Sequence, residues 1–173
     1  MVPTVKTARL RLRASRESDI EGYAAMLADA EAVRFVGGHV FTREESWRKL
    51  LAIPGLWFLL GYGYWAVEEK ESGAYLGQVG FADFKRDMVP SIEGTPEMGW
   101  MLVPQAQGRG FATEAILGAL GWADGGGLPG REITAIIDAD NLASIRVAEK
   151  TGFSVREKAS YQGKPILLFR RLR

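Results

Sequence analysis

The chain contains no cysteine. That removes disulfides, a thiol nucleophile and thiolate metal sites together. Histidine is almost as scarce: His39 is the only one, lying beside Gly37 and Gly38. A lone imidazole without partners is more often structural than catalytic. No cluster of His, Asp and Glu has metal-ligand spacing, so no metal is expected. Long apolar runs are also missing, since residues 53–65 are broken by Pro54, Gly55, Gly61 and Gly63 and are too short to cross a bilayer. The N-terminal residues are interrupted by Pro3 and Lys6 and then carry Arg9, Arg11 and Arg13, so they lack the apolar region of a signal peptide. A surplus of one charge is absent too: 22 basic and 21 acidic residues leave a net charge of +1. No global field draws the protein to nucleic acid or anionic lipid, and no nucleic-acid-binding motif is present. The expectation is a soluble cytoplasmic protein with neither a membrane nor a nucleic-acid partner, whose anion sites are local.

What is present is ordinary globular material. A composition of 47% hydrophobic and 25% charged residues argues against disorder, and 173 residues suit one domain with a sizeable core. Residues 8–14 alternate Leu10 and Leu12 with Arg9, Arg11 and Arg13, the period of a strand whose arginines form a solvated edge. Asp19 caps a helix carrying Ile20, Tyr23, Ala24 and Leu27 on one side, and Thr42 with Glu45 forms a capping box for a second helix. Residues 62–68 and 74–84 read as a hairpin, and 97–103 as a strand ended by Pro104. A helix over about 110–123 is stopped by Gly125, Gly126 and Gly127. A strand over 132–137, a helix over 142–150 closed by Gly152, and a last strand over 165–172 follow. No internal repeat or low-complexity linker divides this order. The architecture expected is therefore a single α+β domain over 1–173, one mixed sheet flanked by helices.

The chemistry-bearing segment is Gln107-Gly108-Arg109-Gly110-Phe111-Ala112. It joins a strand to an amphipathic helix, where glycines admit a bound group and first-turn N–H groups favour an anion. Taken alone it is either a functional anion site or a packing turn. A P-loop is excluded because Phe111 and Ala112 follow Gly110, and a Rossmann fingerprint because Thr113 stands where the third glycine belongs.

Gln107-x-x-Gly110-x-Ala112 matches the Q/R-x-x-G-x-G/A signature of the Gcn5-related N-acetyltransferase (GNAT) superfamily. Upstream, Glu97-Met98-Gly99-Trp100-Met101-Leu102-Val103-Pro104 resembles the strand before that turn in the branch containing ribosomal-protein N-terminal acetyltransferases. Downstream, Asn141-Leu142-Ala143-Ser144-Ile145-Arg146-Val147-Ala148-Glu149-Lys150-Thr151-Gly152-Phe153 resembles the same branch's second motif. The resemblance implies a mostly antiparallel sheet with a splayed strand pair, and acetyl-CoA as acyl donor. It implies cofactor contacts from Met101, Leu102 and Val103, from Gln107, Gly108, Arg109, Gly110, Phe111 and Ala112, and from Asn141 and Ser144. Met101 and Val103 are expected to use their backbone groups.

An attacking amine must be neutral, whereas a lysine-type amine has a pKa of about 10.4 and an α-amine of about 8. Glu97 is the first candidate base, acting directly or through water, against the alternative of a solvated strand-end glutamate. Glu93 is a weaker second. Many superfamily members protonate the leaving thiolate with a tyrosine on the second-motif helix. This helix offers Ile145, Arg146 and Val147, so the role falls to Ser144, unless Ser144 and Asn141 only cap the helix. Trp57, Phe58, Tyr62, Tyr64 and Trp65 could line an acceptor pocket, but most of them are expected in the core. The acceptor, a protein α-amine or a small-molecule amine, and the choice of monomer or homodimer stay open. A non-catalytic acyl-CoA-binding sensor would keep residues 107–112 but need neither Glu97 nor Ser144.

Overall fold

Leu10 and Leu12 are fully buried, as their alternation requires, and anchor a strand paired along both of its edges. The computed structural model describes the backbone of residues 1–173 and every side chain but that of Arg156. In chain order the elements are β1 (Val5–Lys6), β2 (Leu10–Arg13), α1 (Ile20–Ala28), α2 (Ala30–Val33), α3 (Arg43–Leu60), β3 (Tyr64–Glu69) and β4 (Tyr75–Ala82). They continue with β5 (Glu97–Leu102), α4 (Phe111–Trp122), β6 (Glu132–Asp138), α5 (Leu142–Lys150), β7 (Ser154–Tyr161) and β8 (Lys164–Leu172). Eight strands form one sheet in the order β1-β2-β3-β4-β5-β6-β8-β7. Every pairing is antiparallel except β5 with β6. The fold is α+β, a mixed sheet of mostly antiparallel strands flanked by helices.

Alternation along the central strands divides the core between the two faces. Trp65, Val67, Val79 and Phe81 pack with Phe111, Ile116 and Leu120 of α4. Tyr64, Ala82 and Met101 turn the other way, onto Tyr23, Leu27, Leu50 and Ile53 of α1 and α3. The rings of Trp57, Trp65 and Trp122 meet edge-on, with centroids 4.8 and 5.0 Å apart across Trp65. Trp57 and Trp65 are thus core residues, as their neighbours Tyr62 and Val67 are. The Thr42–Glu45 capping box forms as expected, and α3 then runs through Pro54 to the left-handed Gly61.

Three expectations are corrected. The arginines of residues 8–14 are not uniformly solvated: Arg9 and Arg11 stay partly exposed, but Arg13 is buried, donating to Asp19 and Glu68. Asp19 consequently makes no side-chain cap for α1. Its carboxylate accepts from Arg13 and from the Arg16 N–H that opens the preceding turn. Residues 154–161, unassigned from the sequence, form the edge strand β7.

Candidate active site

The segment 107–112 folds into an exposed turn at the start of α4. Gly108 and Gly110 hold φ of +71° and +77°, a region L side chains rarely adopt, and Gly110 is the helix N-cap. The N–H groups of Gly108, Arg109, Gly110, Phe111 and Ala112 donate to no acceptor among the described residues. Five unpaired donors at the positive end of a helix suit a diphosphate. Phe111 contributes its N–H alone, since its ring is buried. Arg109 stacks its guanidinium 4.6 Å from that ring.

The turn is held from outside its own sequence. Arg9 donates from Nη1 to Arg109 O at 3.0 Å and from Nε to Glu114 Oε2 at 2.7 Å. The other oxygen of Glu114 accepts from Thr7 Oγ1 and from the Arg9 N–H. Burial opposes ionisation of Glu114, but these donors outweigh it and hold its carboxyl below the usual range. Gln107 Nε2 donates to Leu102 O at 3.3 Å, tying the turn to the end of β5.

The parallel ladder between β5 and β6 consists of one registered pair, Glu97 opposite Thr134. Beyond it the strands separate, leaving an open backbone edge on β5. Which residues own that edge follows from the neighbouring ladder. Val103 N–H donates to Leu76 O at 2.9 Å, and Met101 lies opposite Gln78. Alternate residues of an antiparallel strand bond to the same neighbour, so Met101 and Val103 both bond to β4. The backbone groups of Met101 and Val103, expected to meet a cofactor, thus face β4, and those of Trp100 and Leu102 face the gap.

Between the separated strands lies a cleft of about 230 Å³. Met101 retains a place in its wall through its side chain, and Asn141 and Ser144 line the end nearest α5. Asn141 caps that helix, its Oδ1 accepting from Ser144 N–H at 3.1 Å. The cap uses only Oδ1, and Asn141 Nδ2 and Ser144 Oγ have no partner among the described residues. Capping and a position in the cleft therefore coexist.

Glu97 lines the same cleft but is not a solvated strand-end residue. It is buried, and Arg86 grips it with both arms, Nε to Oε2 at 2.5 Å and Nη2 to Oε1 at 2.8 Å. Burial disfavours the charge on Arg86, but the hydrogen bonds and charge of Glu97 more than offset this and raise its pKa. Above the pair, burial pushes the Tyr64 phenol well up, with the Glu97 charge adding to the effect. Gly99 makes room for Tyr64, because a Cβ there would stand 2.1 Å from the Tyr64 hydroxyl.

Sequence reasoning missed Arg86 and Tyr161. Arg86 sits in a loop with no periodicity, and Tyr161 at the tip of the unassigned β7; both line the cleft. His39 does not: its Nδ1 lies 3.3 Å from Gly37 O and its ring packs on Phe41. Glu93 lies 3.4 Å from Lys85.

A splayed parallel pair above a helix-capped anion turn matches known proteins. YkkB of Bacillus subtilis (strain 168), an uncharacterized protein, is 36% identical over 116 residues. That match covers 64% of this chain and 63% of YkkB, just under two thirds of its length. A putative GNAT-family acetyltransferase from Bordetella pertussis superposes with a TM-score of 0.83 at 28% identity, over 98% of this chain and 99% of that one. RimL, a ribosomal L7/L12 α-N-protein acetyltransferase solved in complex with coenzyme A, shares the fold with a TM-score of 0.78 at 18% identity, over 98% of each chain. The model of the acetyltransferase (GNAT) domain matches residues 9–154, most of the sequence, and the chain belongs to that family.

Proposed function

We propose that this protein transfers an acetyl group from acetyl-CoA to a primary amine, by direct attack within a ternary complex. The observation that carries the reading is the single registered pair between β5 and β6. The strand separation leaves the Trp100 backbone and the Leu102 N–H facing the gap, between the anion turn and the cleft holding Glu97 and Ser144. The coenzyme A complex of RimL, which has the same fold, supports that choice of donor.

The residues present fit such a donor. Gly108, Arg109, Gly110, Phe111 and Ala112 would receive the diphosphate on their N–H groups. Trp100 and Leu102 would pair with the pantetheine amides as an added strand does. Asn141 Nδ2 and the Met101 side chain would border the thioester end. The donor supplies an acyl carbon activated by a thiolate leaving group. The amine nitrogen bonds to that carbon, the carbon–sulfur bond breaks, and the nitrogen loses a proton. Both Glu97 oxygens are engaged by Arg86, so the proton reaches Glu97 through water rather than by direct contact. Ser144 Oγ supplies a hydrogen bond as charge develops on sulfur.

The deciding experiment is release of free CoA from acetyl-CoA across a panel of peptide α-amines and small amines. Release that depends on the amine supports transfer. Tight acetyl-CoA binding with no release from any amine would leave the sensor reading in its place.

A further inference from the structure

Resting on that transfer reading, we infer that the acceptor is a monoamine, one primary ammonium on an aliphatic or aromatic body, and that Arg86 sets this preference. Three observations converge: the charge facing the cleft, the character of its walls and its size.

Two carboxylates face the cleft, Glu97 and Asp138. The charge of Glu97 is cancelled by the two-armed grip of Arg86. Arg86 has little freedom to leave, because its guanidinium lies 4.9 Å from the Phe84 ring centroid and 4.7 Å from that of Tyr161. Acids nearby are engaged as well: Asp83 pairs with Lys85 at 2.6 Å, and Glu93 lies 3.4 Å from the same amine. Asp138 remains. Its Oδ1 accepts from Asp140 N–H at 2.9 Å, and among the described residues it has no cationic partner. One uncompensated carboxylate matches the one ammonium that docks before its proton is lost. The second charge of a diamine, or the several of an aminoglycoside, would lose water and gain no counter-ion.

The walls point the same way. Phe35, Val36, Trp100, Ile136 and Ile166 line the same cleft as Asp138 and the Arg86–Glu97 pair. Gln78, Asn141 and Ser144 add polar groups for only a few oxygens, so a hydroxyl-rich body would leave others unpaired there. At about 230 Å³ the cleft is smaller than the roughly 300–1,000 Å³ of pockets that bury drug-sized ligands, and it must also receive the thioester. A free alkyl or arylalkyl amine meets this description. So does the first residue of a peptide when its side chain is apolar.

The test compares kcat/KM for CoA release with hexylamine, phenylethylamine and a peptide beginning with leucine against spermidine and an aminoglycoside. The expected result is at least a tenfold preference for the monoamines. Activity confined to the peptide or to the free amines identifies the source of the amine and supports the inference equally. In Arg86→Gln the Glu97 charge is uncovered, and the ratio of spermidine to hexylamine kcat/KM should rise at least tenfold. Arg86→Lys keeps a cation beside Glu97 and should hold the original preference, which separates charge from folding should the glutamine variant be unstable. Spermidine or the aminoglycoside outperforming the monoamines in the parent protein overturns the inference while leaving acetyl transfer standing, as does an unchanged ratio in folded Arg86→Gln. No release from any amine overturns the transfer reading first.

Discussion

The proposed donor side and the proposed acceptor side of the cleft are built on opposite plans. The donor turn is six consecutive residues whose working groups are backbone N–H donors, exposed and aimed by two left-handed glycines. The acceptor side is assembled from side chains far apart in sequence: Phe35 before α3, Tyr64 on β3, Arg86 after β4, Glu97 on β5 and Tyr161 on β7. A backbone site tolerates most side-chain changes but not a change of backbone conformation. A side-chain site has the reverse weakness, because removing one partner strands the other in a buried place.

The largest effect should come from breaking the donor turn. Gly110→Glu places a side chain where φ is +77° and puts a carboxylate among the N–H groups proposed to receive phosphate. Acetyl-CoA affinity should fall by about 10² or more, roughly 2.7 kcal/mol. Gly110→Ala, which has the backbone strain without the charge, should lose less. Calorimetry on the two folded variants separates strain from charge, and unchanged affinity in Gly110→Glu would remove the turn from the binding site.

The next effect belongs to the acceptor side. Glu97→Gln keeps the shape but cannot take a proton or neutralise Arg86, and turnover should fall by about 10²-fold, within the usual range of general-base assistance. Raising pH supplies neutral amine from solution, so the variant should recover relative to the parent in alkaline buffer. Parallel pH profiles of turnover over acceptor concentration would reduce Glu97 to holding Arg86.

The same contrast decides what the sequence reveals. The donor turn, both motif helices and the β5 strand are contiguous patterns, and the capping box, the α5 bounds and the β3–β4 hairpin all form where they are expected. A local pattern does not carry register, so residues 97–103 alone do not say whether Met101 and Val103 or Trp100 and Leu102 turn their backbone groups away from β4. The parity is set by pairing with β4, whose own register depends on β3. Strand β7 hides because Arg156, Glu157 and Lys158 interrupt any apolar alternation, as charges do on edge strands. Arg86 is invisible for another reason. Nothing in residues 85–96 says that this arginine, rather than Lys85, meets Glu97, until the loop folds over β5.

Ser144 lies where the two plans meet, on the helix cap beside the cleft. Ser144→Ala leaves the capping bond intact, because that bond uses the backbone N–H. The affinity for acetyl-CoA should stay within about twofold while turnover drops by about tenfold, corresponding to about 1.4 kcal/mol of transition-state stabilisation. Equal turnover would leave the residue no part in leaving-group assistance.

The smallest effect concerns what holds the donor turn from behind. Glu114 accepts from Thr7 and twice from Arg9, and these bonds keep its carboxyl below the ordinary range despite partial burial. A carboxyl whose pKa is lowered by folding stabilises the native state at pH values above its unfolded value, about 4.3, and loses that contribution as pH falls through the lower folded value. Because half of the Arg9 side chain is exposed, solvent screens the pair, and its worth is about 0.2–1 kcal/mol. Glu114→Gln should therefore lower Tm by no more than about 4 °C at pH 7. As pH falls from the unfolded value through the lower folded value the parent is protonated at this position and loses the advantage, so the two melting curves should converge, whereas at high salt near neutrality they should draw together only in part. Thermal melts of both proteins from pH 3 to pH 8 measure this. A difference in Tm that stays constant across that range would mean that Glu114 holds the turn by packing and neutral hydrogen bonds rather than by its charge, and would bring the back of the donor turn closer to the apolar core than to the ion-paired acceptor side.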